Sequence, residues 1–99
     1  MRIEDIRKIK EKLYLIAAKH GIKKVYVFGS VVREESGETS DIDFLVDMEP
    51  GASPFGIGGF QYEAQQLLGV EIDVIPMFAL SKVDDLEFVK NVQAEAVVL

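Results

Sequence analysis

Asp41-Ile42-Asp43 sets two carboxylates two residues apart, and Asp73 adds a third within the apolar run Glu71-Ile72-Asp73-Val74-Ile75. Two such charges about 4 Å apart repel by about 4 kcal/mol at an effective dielectric of about 20, so acids are rarely concentrated without compensation. Lysine and arginine do not supply it, because the only basic residue between Lys24 and Lys82 is Arg33. A divalent cation is the natural remedy. Magnesium takes hard oxygen ligands and is usually held by one or two carboxylates together with substrate phosphates. Two such ions about 3.5–4 Å apart would stabilise the attacking and leaving oxygens of an in-line phosphoryl displacement. Gly29-Ser30 offers the complementary half. Glycine after a buried strand lets backbone approach a phosphate closely, and the following N–H groups and hydroxyl can donate to its oxygens. If a helix starts over residues 30–33, its positive end adds to that site.

Arg33 reads two ways, as a phosphate contact or as a surface arginine paired with a loop glutamate. His20, at the end of a helical stretch, reads as dipole chemistry at a C-terminus before it reads as a general base. Asp47 and Glu71 share the polar side of their strands, with solvation or support of the other acids as their default roles. Tyr14, Tyr26 and Tyr62 read as core or interface aromatics before base-stacking platforms. Gly56-Ile57-Gly58-Gly59-Phe60 lacks the lysine and the strand-to-helix context of a phosphate loop and is expected to be a mobile loop.

Strands and helices must position these groups. Ile3, Ile6, Ile9, Leu13, Ile16 and Ala17 recur at steps of three and four, which predicts one helix over residues 2–19, closed by Gly21. Lys24-Val25-Tyr26-Val27-Phe28 is β-branched and aromatic and ends at Gly29, as a strand entering a tight turn does. Residues 34–40 read as an exposed loop. From Asp41 to Met48 the period of two places Ile42, Phe44, Val46 and Met48 on one face and Asp41, Asp43 and Asp47 on the other. After Pro50 to Pro54, residues 55–68 can be helical, most clearly from Tyr62 onward, because the glycines weaken the start. Glu71 to Ile75 alternates again and stops at Pro76. Helical spacing returns over residues 84–94 through Leu86, Val89 and Val92 or Gln93, and residues 96–99 can add an edge strand. The order predicts an α/β (α+β) fold, a small mixed β-sheet with helices packed on one face and a cleft on the other.

Ninety-nine residues, 48% of them hydrophobic, suffice for one core, so residues 1–99 form a single domain. No apolar stretch approaches the roughly 18 to 20 residues that cross a bilayer, and the N-terminus lacks the apolar centre of a signal peptide, so a cytoplasmic protein without a membrane span is expected. Cysteine is absent, leaving oxygen ligands or the lone His20 for any metal. The net charge is −6, divided as +5 over residues 1–24 (eight Lys/Arg, three Asp/Glu) and −11 over the remainder. Such a field repels a phosphate backbone over most of the surface, which argues against general nucleic-acid binding.

Gly29-Ser30, ten intervening residues, Asp41-Ile42-Asp43, and Asp73 in a later apolar strand together resemble the signature of the DNA polymerase β-like nucleotidyltransferase superfamily. Within it, Val27 through Glu35 and Ser40 through Val46 look like the minimal nucleotidyltransferase (MNT) family, and the likeness runs over nearly the whole chain. The resemblance implies the polymerase β-like nucleotidyltransferase fold. Gly29 and Ser30 would hold the triphosphate, Asp41 and Asp43 would bind both magnesium ions, and Asp73 would bind the catalytic one and help activate the acceptor hydroxyl. Arg33 matches an arginine common after the Gly-Ser turn, while Glu34 stands where the family often has glycine. The resemblance further implies an antitoxin that transfers AMP from ATP to a tyrosine of a HEPN-domain toxin, forming a hetero-oligomer with it or a homodimer alone. The alternatives are a non-catalytic antitoxin or assembly subunit that neutralises its partner by binding, and transfer to a small molecule.

Overall fold

The computed structural model describes residues 1–33 and 41–99. Its elements are α1 (Ile3–Lys8), α2 (Lys10–Lys19), β1 (Ile22–Phe28), a 3-10 turn (Gly29–Val31), β2 (Ile42–Met48), α3 (Gly56–Leu68), β3 (Ile72–Pro76), α4 (Met77–Leu80), α5 (Leu86–Glu95) and β4 (Val97–Val98). The four strands form one mixed sheet in the order β3-β2-β1-β4. β1 pairs antiparallel with β2 and β4, whereas β2 and β3 run parallel with α3 as the crossover. A parallel pair needs such a crossover, and here it places the second acidic strand directly beside the first.

The alternation read from the sequence sorts the sheet residues. Val25, Val27, Ile42, Phe44, Val46 and Ile72 join Ile6, Leu13 and Ala17 of α1 and α2 and Phe60 and Ala64 of α3 in the main core. The second face is not bare. Phe28 and Leu45, with Ile75 beside them, meet Leu80 of α4 and Val92 of α5 in a smaller core. Helices on one face therefore describes α1–α3 only. The acid-bearing face carries apolar residues at Phe28, Leu45 and Ile75 that must also be covered, and α4 and α5 cover them.

Three expectations are revised. The first helix is divided at Ile9, whose backbone (φ −109°, ψ 18°) leaves the helical region. Apolar residues three apart at Ile3, Ile6 and Ile9 drift by roughly 60° per step around an ideal helix, and the tighter turn, with the Ile9 N–H donating to the Ile6 carbonyl at 3.1 Å, re-aims the stripe toward Leu13. The expected loop over residues 56–60 is instead the first turn of α3. A Cβ on Gly56 would lie 2.2 Å from the His20 carbonyl oxygen, and one on Gly59 would lie 2.5 Å from the His20 ring. These glycines thus let α3 press on the end of α2, which offsets their poor helix propensity. Lys19 and His20 both pair with Glu63 of α3, so His20 fastens two helices together. Leu86, read as an inward residue, is 71% exposed; the Asp85 carboxylate caps α5 by accepting from the Phe88 N–H, and Val92 is the buried contact.

One half-buried hydroxyl links helix, sheet and Leu99. The Tyr14 OH accepts from the Val25 N–H at 3.1 Å and donates to the Leu99 carbonyl at 3.2 Å. Tyr14→Phe removes both bonds and leaves half-buried backbone groups unsatisfied, which costs about 1–3 kcal/mol. Urea unfolding should show that loss as a lower midpoint with an unchanged slope.

Candidate active site

β1 ends at Phe28, the register partner of Asp43 on β2, and Asp43 is in turn the register partner of Asp73 on β3. Parallel pairing without offset keeps both aspartates on one face, the face of Leu45 and Ile75. Asp41 lies just before β2, exposed, and two residues from Asp43. The backbone leaves β1 through Gly29 at φ +81°, and a Cβ there would fall 2.4 Å from Asp43 Oδ2. Only glycine accommodates both that conformation and that contact.

These residues border one cleft of about 570 Å³, whose lining includes Gly29, Arg33, Asp43, Asp73, Phe88 and Glu95. That is the size range of small-ligand sites. Burial first, then the Asp73 and Asp41 carboxylates, raise the Asp43 pKa above its ordinary value, with Arg33 opposing. Arg33 makes a two-pronged contact with Glu95 of α5, Nη1 lying 2.7 and 2.8 Å from the two carboxylate oxygens. The arginine therefore stands at the cleft, braced from α5.

Of the residues singled out from the sequence, Gly29, Arg33, Asp43 and Asp73 line this cleft; Asp41 and Ser30 stand beside it and are not part of its lining. Ser30 is half-buried in the 3-10 turn. Asp47 sits toward the far end of β2, 3.6 Å from Lys23. Glu71 is exposed, and its carbonyl accepts from the Ile42 N–H at 3.0 Å. The loop expected over residues 34–40, with Glu34, lies outside the described residues. Sequence reading missed Phe88, Asn91 and Glu95. Their spacing of three and four along α5 was the available signal, since it puts all three on one helix face.

The donor chemistry suits a hard divalent cation: carboxylate oxygens on adjacent strands, and no sulfur or imidazole at the cleft. Among the described residues no three such ligands are gathered closely enough to enclose an ion unaided. The set matches a magnesium site completed by substrate oxygens better than a closed structural cage.

A glycine turn against a strand aspartate, with a second aspartate in register beside it, suits a cation and a phosphate, and the sequence comparison agrees. The chain belongs to the nucleotidyltransferase domain family, whose model matches residues 3–99. Over 71 residues it is 44% identical to “Putative protein adenylyltransferase MJ0435” of Methanocaldococcus jannaschii, covering 72% of this chain and 76% of that protein. It is 38% identical over 55 residues to the protein adenylyltransferase MntA of Thermococcus cleftensis, covering 56% of each. A solved structure described as a “putative minimal nucleotidyltransferase” superposes with a TM-score of 0.77 at 32% identity, covering 100% of this chain and 97% of that one. The fold also matches a toxin–antitoxin crystallised with AMP-PNP, at a TM-score of 0.66 and 16% identity over 89% of this chain and 69% of that one.

Proposed function

We propose that this nucleotidyltransferase moves AMP from ATP to a tyrosine hydroxyl of a HEPN-domain partner toxin and so acts as its antitoxin. The observation that carries the reading is the register pair Asp43–Asp73, with Gly29 packed against Asp43, lining a nucleotide-sized cleft. Both relatives named above bear the name of protein adenylyltransferases, the first of them as a putative one, which supports a protein acceptor. The antitoxin role and the HEPN partner rest on the resemblance of residues 27–46 to the MNT family.

Asp41, Asp43 and Asp73 would hold two magnesium ions. Bound there, magnesium would supply charge neutralisation between the acids and the triphosphate. The chain's own groups do the rest. The Gly29 turn brings backbone N–H groups to the phosphates without a side chain intervening. Asp73, exposed at the cleft, takes up the proton of the acceptor hydroxyl. The tyrosine oxygen bonds to the α-phosphorus, the bond to the bridging oxygen breaks, and pyrophosphate leaves. Arg33, held near Asp43 by Glu95, adds positive charge where the phosphates would lie.

The test is to incubate the full chain with magnesium, ATP and a candidate HEPN partner. The partner should gain one AMP by intact mass, on a tyrosine, and a chelator should abolish the gain. An unmodified partner beside an active adenylyltransferase control would overturn the reading. If that partner still bound tightly, neutralisation by binding alone would take its place.

A further inference from the structure

The cleft mixes two chemistries. Gly29, Asp43 and Asp73 bring acids and a backbone approach, whereas Ile75 and Val92 with the rings of Phe28 and Phe88 bring apolar surface. A triphosphate belongs beside the acids and their cation, which leaves the apolar surface for the nucleoside. α5 presents two side chains there that the transfer chemistry does not use. Phe88 meets Phe28 edge-on, with centroids 6.5 Å apart and ring planes at 77°, and keeps 36% of its surface exposed. Such a ring retains an open face for a second aromatic plane. Asn91, three residues on and also lining the cleft, carries one acceptor and two donors on a planar amide.

We infer that α5 reads the base: Phe88 stacks on it and the Asn91 amide pairs with the adenine edge, accepting from the N6 amino group and donating to N7. This inference rests on the nucleotidyl-transfer reading of the cleft. An asparagine amide matches adenine's adjacent donor and acceptor, whereas guanine presents two acceptors in the same place. The site therefore selects ATP over GTP. Stacking tolerates any base, so the two residues divide the work, affinity to Phe88 and choice to Asn91.

Calorimetry in magnesium with three probes, ATP, GTP and inorganic tripolyphosphate, separates the parts. The wild-type chain should prefer ATP over GTP by about tenfold. Asn91→Ala should bring that ratio near one. Phe88→Leu, which keeps apolar bulk against Phe28, should weaken ATP and GTP alike by about tenfold while leaving tripolyphosphate binding unchanged. Wild-type affinities for all three probes in both variants would overturn the inference and leave the acid site standing. A Phe88→Leu chain that lost tripolyphosphate as well would also count against it, because the effect would not be that of a base contact. A wild-type chain that bound none of the probes would take down the transfer reading along with the inference.

Discussion

Asp43→Asn should lower AMP transfer by about a thousandfold and, without magnesium, leave the folded chain more stable than the wild type at pH 7. The first half follows from position. Asp43 is the register partner of both Phe28 and Asp73, lies against Gly29, and lines the cleft. An amide there keeps the shape and removes the charge that a cation would neutralise. Electrostatic stabilisation of this kind is worth several kcal/mol at the transition state, and each 1.36 kcal/mol is tenfold in rate. The second half follows from the raised pKa. Burial and the neighbouring Asp73 and Asp41 carboxylates push the Asp43 carboxyl above its ordinary value of 3.8. Between the unfolded and folded pKa values the native chain binds more protons than the unfolded one, so stability falls as pH rises through that window. The deficit persists at neutral pH. Asparagine has no proton to lose, so its advantage should be present at pH 7 and vanish below the ordinary carboxyl pKa. Urea melts at pH 7 and pH 3, paired with mass spectrometry of the partner, read both halves. Transfer within tenfold of wild type would remove Asp43 from the chemistry, and a variant less stable at pH 7 would refute the electrostatic account. Magnesium should also raise the wild-type midpoint and do little for the variant, because only a ligand that binds the native state shifts it.

The same coupling explains what a single sequence could disclose. The shared face of Asp43 and Asp73 was legible because strand alternation is local: Ile42, Phe44 and Val46 fix one face of β2, as Ile72 and Val74 do for β3, so the two acids must take the other. The pairing of Asp43 with Asp73 followed from two such strands being adjacent. What stayed hidden depends on residues far apart in the chain. The start of α3 was obscured because glycine lowers helix propensity wherever it occurs, whereas Gly56 and Gly59 are favoured by their contact with His20, the residue that ends α2. Arg33 was left between a phosphate contact and a loop glutamate, and it meets Glu95, 62 residues away, on a helix whose docking no local pattern announces. α4 spans only Met77–Leu80, one turn behind Pro76, too short for any periodicity to register. Cover for the second sheet face, by α4 and α5, was missed for that reason, and with it the apolar surface of the cleft.

Gly29→Ala should cost about a hundredfold in transfer and about 2–5 kcal/mol in stability, although it adds a single methyl group. Two penalties combine. At φ +81° an L-residue strains against its own carbonyl, at roughly 1–2 kcal/mol. The new Cβ would also stand 2.4 Å from Asp43 Oδ2, closer than packed atoms come, and 3.3 Å from its Cγ, which is tight. Either the turn flattens or the carboxylate swings off its line with Asp73, and a displacement of about 1 Å in a reacting constellation can cost 10²-fold. Phe28, fixed in the second core beside Leu45, limits how far the turn can yield, so the carboxylate should be the part that moves. A double-mutant cycle isolates the contact. With alanine at position 43 the carboxylate is gone, and Gly29→Ala should then cost only the backbone strain. An equal stability cost in both backgrounds would mean that glycine stands there for its backbone alone, and that its nearness to Asp43 places nothing.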